Sequence, residues 1–265
     1  MQLFDFNFYK GSVWIVGAGP GDPGLLSLLA YKSIKKADVI FYDALLNEEI
    51  LSLAKPSSQL IYVGKRGNKK SINQLEINKL LINEAKKNKR VLRLKGGDPF
   101  IFGRGGEEAL SLRLNKIPYK IVPGATAGIA GLAYAGIPAT HRGFNTSITF
   151  ISAYGAGGEK PETIDWKSFC KTSQLVVIYM GLKRLTWVCS ELIKRGRNNN
   201  EWISPPNKNI YFSHLELSPG GQVHSIHAFP LGSGDLFFVL RPYFLTTTRI
   251  QKNSIHHYRR APSST

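Results

Sequence analysis

The segment Lys95-Gly96-Gly97-Asp98-Pro99-Phe100-Ile101-Phe102-Gly103-Arg104-Gly105-Gly106-Glu107-Glu108 follows the strand-like run Arg90-Val91-Leu92-Arg93-Leu94 and leads into a helical pattern. Five glycines in that span allow sharp turns and close backbone approach, more than a simple connecting turn requires. Asp98 stands just past the end of the strand, where open α/β sheets bind their ligands. The same arrangement recurs along the chain. Val13–Val16 runs into Gly17-Ala18-Gly19-Pro20-Gly21-Asp22-Pro23-Gly24, Asp38–Tyr42 ends at Asp43, and Leu60–Val63 ends at Gly64-Lys65-Arg66. Tyr119–Val122 ends at Pro123-Gly124. Helical patterns at 25–36 and 72–88 separate the runs. This β-α-β order predicts a largely parallel sheet with its ligand loops at the carboxyl ends of the strands.

A second unit follows. Residues 125–135 form a small-residue helix, 147–152 and 174–181 read as strands, and a helix spans 182–195. The rhythm fades after Arg197, where Asn198-Asn199-Asn200, Pro205-Pro206 and five of the six histidines occur, although 236–240 could be a strand. The expected organisation is an α/β domain over 11–123, a second α/β domain over 124–197 and a divergent tail over 198–265.

The chain has 265 residues, with 35 Lys and Arg against 18 Asp and Glu, a formal net charge of +17. Such an excess favours acidic partners. The basic residues are spread along the chain rather than gathered into a stripe, which argues against a nucleic-acid partner. Cys170 and Cys189, with no paired histidines at metal spacing, suggest reduced cytoplasmic thiols and no metal site. The start lacks the basic and apolar blocks of a signal peptide, and no apolar run reaches membrane-spanning length.

The first glycine loop fits the start of a dinucleotide fingerprint, with Asp43 at a ribose-binding distance. Pro20 and Pro23 each remove a backbone donor, and Asp22 would repel phosphate, so the loop reads as a rigid cleft wall for another ligand. Asp43 and Lys65 stand past neighbouring strand ends. They could serve as proton acceptor and donor, or form an ion pair. Arg66 and Arg142 could grip carboxylates bidentately or be solvated surface charges. Glu107 and Glu108 read as acidic residues favouring a helix start. Thr126 could cap a helix or bind a ligand, and Met180 could be core.

Taken in order, Val16–Gly24, Tyr42-Asp43, Val63–Arg66, Arg93–Glu108, Val122–Ala127, Gly136–Arg142 and Tyr179-Met180-Gly181 resemble the tetrapyrrole methylases, especially those acting on uroporphyrinogen III, over about residues 12–197. The resemblance implies two α/β domains, mostly parallel sheets, an active cleft between them and a homodimer. It implies S-adenosylmethionine as methyl donor and uroporphyrinogen III as substrate, methylated at C2 and C7 to precorrin-2 for siroheme or cobalamin. The alternatives are another methylase of the corrin pathway and a catalytically impaired remnant with an altered C-terminus. Positions matching the family's cofactor site are Pro20, Gly96, Gly97, Asp98, Ile101, Thr126, Ala127 and Met180. Those matching its proton acceptor and donor are Asp43 and Lys65. A substrate with eight carboxylates would suit Arg66, Arg104 and Arg142, beside Lys65.

The chain departs from the family pattern at Ala139, where Leu is usual, and at Ser152-Ala153-Tyr154, where a His is usual. After Arg197 the family's closing strands have no convincing counterpart. The reading is a replaced or frameshifted end that leaves the second domain short of strands.

Overall fold

The computed structural model describes residues 7–64, 72–135, 137–142, 145–155, 158–161, 164–197, 202–204 and 238–241. Nine strands are described: β1 (Val13–Gly17), β2 (Val39–Tyr42), β3 (Gln59–Tyr62), β4 (Val91–Lys95), β5 (Tyr119–Val122), β6 (Ile148–Ser152), β7 (Leu175–Tyr179), β8 (Trp202–Ser204) and β9 (Phe238–Arg241). The α-helices are α1 (Leu28–Lys36), α2 (Glu48–Leu51), α3 (Gln74–Lys86), α4 (Gly105–Leu114), α5 (Ala127–Tyr134), α6 (Trp166–Thr172) and α7 (Leu185–Lys194).

The first sheet is wholly parallel, in the order β3-β2-β4-β1-β5. Its inner strands β1, β2 and β4 are almost wholly buried because helices cover both faces, whereas the edge strands β3 and β5 are partly exposed. Val13, Ile15, Val39, Phe41 and Val91 pack with Ile77, Leu81 and Ala85 of α3 and Ala109 and Leu112 of α4. Trp14, Val16, Ile40, Leu92 and Leu94 pack on the other side with Ala30 and Ile34 of α1. β4 therefore alternates, with Leu92 and Leu94 toward α1 and Val91, Arg93 and Lys95 toward α3 and α4.

The second sheet has the order β6-β7-β9-β8. β6 and β7 are parallel, but β9 runs antiparallel to both β7 and β8. The strand expected at 236–240 is thus present as β9, in register Val176↔Leu240 and Ile178↔Phe238. The tail thus supplies two strands, β8 and β9, to the second sheet. The remaining tail residues lie outside the described set.

Several boundaries move for local reasons. The helix expected from residue 25 begins at Leu28. Asp22 first closes a separate 3-10 turn over Pro23–Leu25 by accepting from the Gly24 N–H, and Ser27 then caps α1 by accepting from the Ala30 N–H. Likewise the helix expected over 182–195 opens with a 3-10 turn at Leu182–Arg184 before α7. α2, α6 and β8 were not anticipated; all three are short.

Candidate functional site

The carboxyl ends of β1, β4 and β5 meet through glycine. A Cβ on Gly17 would lie 2.6 Å from the Gly124 nitrogen, and one on Gly124 would lie 2.8 Å from the Gly17 Cα, so neither position admits a side chain. Gly97, at φ +65°, donates to the Gly19 carbonyl at 2.7 Å and accepts from the Gly19 N–H at 3.2 Å. Asp98 ties the neighbouring turns together. Its Oδ1 accepts from the Phe100 N–H at 2.8 Å and its Oδ2 from the Gly124 N–H at 3.1 Å.

Above this junction opens a cleft of about 860 Å³. Pro20, Gly96, Gly97, Asp98, Ile101, Thr126, Ala127 and Met180 all line it, and so do Asp43 and Arg104. Both sheets contribute, the second through Tyr179 and Met180. Three non-glycine residues of the lining have left-handed backbones: Phe102 (φ 51°), Arg104 (φ 57°) and Met180 (φ 57°). Such conformations cost of order 1–3 kcal/mol each and concentrate where side chains must be aimed.

Not every expected residue joins the cleft. Lys65 and Arg66 lie outside the described residues. Arg142 is exposed in the turn closed by the His141–Asn145 bridge and does not line the cleft. The Arg104 guanidinium is engaged bidentately by Glu107, at 2.8 and 2.7 Å, because the two lie three residues apart at the start of α4. Thr126 is the N-cap residue of α5 but makes no capping bond there. Its hydroxyl pairs instead with the Tyr179 hydroxyl at 2.7 Å, which also accepts from the Gly128 N–H. Burial, with Asp98 nearby, pushes the Tyr179 hydroxyl above its ordinary pKa, so it stays protonated.

Glu108 was expected to act only as an acidic helix-start residue. It is instead fully buried, and its Oε1 accepts from Arg93 Nε (3.0 Å), Lys95 Nζ (3.2 Å) and Gln74 Nε2 (3.1 Å). Burial opposes its charge, but the Arg93 and Lys95 cations outweigh that and hold its carboxyl below the ordinary range. Lys95 is also shifted down, first by burial and then by the Arg93 charge beside it. The two shifts differ in origin because Glu108 faces two cations, whereas Lys95 must share its carboxylate with a second cation. Asp43 completes the group. Its Oδ1 accepts from the Leu45 N–H at 3.3 Å, and its Oδ2 lies 3.5 Å from Arg93 Nη2. The described ionic partner of Asp43 is therefore Arg93. The signal for this cluster was two cations at strand spacing in an otherwise apolar run, followed by an acidic pair opening the next helix.

The model of the tetrapyrrole (corrin/porphyrin) methylases matches residues 12–203. The chain belongs to this family. It is 52% identical over 195 residues to the uroporphyrinogen-III C-methyltransferase of Sinorhizobium sp, covering 74% of this chain and 70% of that protein. It is 47% identical over 191 residues to that of Methanocaldococcus jannaschii, covering 72% and 78%. A siroheme synthase of Psychrobacter cryohalolentis aligns at 47% over 188 residues, 71% of this chain but 36% of that longer protein. Among solved structures, uroporphyrin-III C-methyl transferase from Thermus thermophilus complexed with S-adenyl homocysteine superposes with TM-score 0.70 at 36% identity, covering 87% of this chain and 97% of that one. A cobalt precorrin-4 methyltransferase shares the fold, with TM-score 0.69 at 18% identity.

Proposed function

We infer that this chain is an S-adenosylmethionine-dependent methyltransferase that methylates uroporphyrinogen III at C2 and C7 to give precorrin-2. The observation that carries the reading is one cleft, at the strand ends, lined by all eight positions that match the family's cofactor site. The cleft suits that donor. Gly97 leaves open space where a side chain would stand, so the wall beside it is bare backbone. Ile101, Ala127 and Met180 add apolar surface, and Asp98 adds a carboxylate. Clefts that mix apolar walls with a few placed polar groups are the usual form of small-molecule sites.

When bound, S-adenosylmethionine supplies a methyl carbon made electrophilic by its sulfonium and departs as S-adenosylhomocysteine. The pyrrole carbon that accepts the methyl must give up a proton, and Asp43 at the cleft floor is our proposed acceptor, with Lys65 as donor. Much of the rate would come from holding the two reactants together in a water-poor cleft. Arg104 lines the cleft and would bind a substrate carboxylate by exchanging Glu107 for it; Arg66 is proposed with it because a substrate of eight carboxylates suits a basic cleft.

We further propose two units meeting near Gly124, with the cleft between them, and a homodimer. The exposed Leu110 and Leu114, four residues apart on α4, offer apolar surface for a partner copy. That Cys170 and Cys189 form no disulfide suits a cytoplasmic enzyme. No helix among the described residues is long and apolar enough to cross a membrane.

The decisive experiment incubates the chain with uroporphyrinogen III and methyl-labelled S-adenosylmethionine. A doubly labelled product is expected. Binding of NAD in preference to S-adenosylhomocysteine, or label only in a later corrinoid intermediate, would overturn the reading.

A further inference from the structure

We propose that Arg93 is a positioning residue for methyl transfer, clamped by Glu108 so that it fixes the Asp43 carboxylate at the cleft floor. This rests on the reading of Asp43 as proton acceptor given above.

Every nitrogen of the guanidinium is engaged. Nε donates to Glu108, Nη1 to the carbonyls of Phe41 (3.4 Å) and Leu94 (3.2 Å), and Nη2 faces Asp43. The Arg93 side chain is 4% exposed, so it has no solvent shell in which to reorient. Phe41 lies on β2, two residues before Asp43, and Leu94 lies on β4. One planar group thus links the strand that leads into Asp43 to the strand that precedes the glycine wall. A lysine, with a single terminal nitrogen, cannot satisfy these acceptors together.

Stability alone does not account for such a group. A buried ion pair is often no better for stability than apolar residues of the same volume, because desolvation offsets the attraction. Here the charges of Arg93 and Lys95 are matched by Glu108 and Asp43, two against two, and Asp43, Arg93 and Lys95 all line the cleft. Removing the Asp43 charge by protonation during turnover leaves the guanidinium in place, held by Glu108 and two carbonyls. The carboxylate would therefore return to one geometry after each of the two methylations.

The test is a double-mutant cycle of Arg93→Lys and Asp43→Asn. It is read as kcat and KM with uroporphyrinogen III and labelled S-adenosylmethionine, with S-adenosylhomocysteine affinity by calorimetry. Arg93→Lys is expected to lower kcat by about 10- to 100-fold, the scale of a small misplacement of a catalytic group, while S-adenosylhomocysteine affinity is kept. In the Asp43→Asn background the same change should cost almost nothing further. Equal losses in both backgrounds, or an unchanged kcat with a lower Tm, would overturn the proposal for Arg93 and leave the Asp43 reading intact. An undiminished kcat in Asp43→Asn alone would overturn both. Should Arg93→Lys not fold, Glu108→Gln releases the same clamp with little change of shape. Non-additivity with Asp43→Asn then supports the proposal, and additivity rejects it.

Discussion

Glycines in this chain divide into those that must be glycine and those that need not be. Gly124 stands where a side chain would meet the Gly17 backbone at 2.8 Å and the Gly97 carbonyl, and none of these is the end of a flexible side chain. Gly124→Ala therefore forces strand ends apart, at a cost of about 1–3 kcal/mol or more by analogy with overpacked cores. The expected outcome is a lower Tm together with weaker S-adenosylhomocysteine binding, since Gly97, which meets Gly124 at this junction, lines the cleft. Gly106, on α4, meets nothing within 4 Å. Gly106→Ala should instead stabilise the chain by about 0.5–1 kcal/mol, because alanine is the better helix former. Thermal unfolding of the two variants checks both signs. A destabilised Gly106→Ala would mean that this face of α4 is covered in solution.

The glycines were legible in the sequence as a cluster at a strand end, but their division was not. Sequence gives no way to see that Gly17, Gly97 and Gly124 touch one another. Glu108 shows the same limit. Beside Glu107 at a helix start it has the same local setting. The helix sends one to solvent, where it pairs with Arg104, and the other beneath the sheet onto Arg93 and Lys95.

Elements were largely readable where they are long and apolar, and the capping residues explain where they start. α3 begins at an Asn73–Glu76 capping box. The Glu76 N–H donates to the Asn73 side chain at 2.8 Å, and the Asn73 N–H donates to Glu76 Oε2 at 3.1 Å. Asn73 and Gln74 also line the cleft, so this cap sets one of its walls. Asn73→Ala should cost about 0.5–2 kcal/mol of stability, a fall in Tm of a few degrees measurable by circular dichroism. No loss of stability would show that packing of Ile77, Leu81 and Ala85, and not the cap, determines where α3 begins. β8 was harder to read. It is short, and it is held by antiparallel pairing with β9 rather than by a strong local pattern.

At the scale of the molecule, charge dominates. With a formal charge of +17, each carboxylate lost to protonation adds to self-repulsion as well as removing a pair. Glu108 is held below its ordinary pKa by Arg93 and Lys95 against the opposing effect of burial. Glu84 is held down first by its hydrogen bonds to Lys87 and Lys89. At Asp38 burial pushes upward, but Lys55 and the Arg90 N–H win and the shift is downward. In each case the folded pKa lies below the unfolded one. The stabilisation is therefore fully present above the unfolded carboxylate range, about pH 4–5, and is lost as pH falls through the folded values. The urea midpoint should be flat from pH 7 to about 5 and fall steeply below about 4, with Glu108→Gln showing a shallower fall from a lower start. A midpoint that rises between pH 5 and 3 would refute this account.

The sequence by itself determined the strand-to-glycine rhythm of the first sheet, the helices between, and the ordered motifs that mark a tetrapyrrole methylase. Those are properties of neighbouring residues, readable from spacing and from turn chemistry. Only the tertiary structure decided which charges meet. Arg93 reaches Asp43 across 50 positions and Gln74 reaches Glu108 across 34, because parallel pairing brings β2 beside β4 and packing lays α3 and α4 on the same face. It also decided that β9 lies inside the second sheet, antiparallel to β7 and β8, since pairing between distant segments follows from which strand edge each can reach, and no local pattern encodes that.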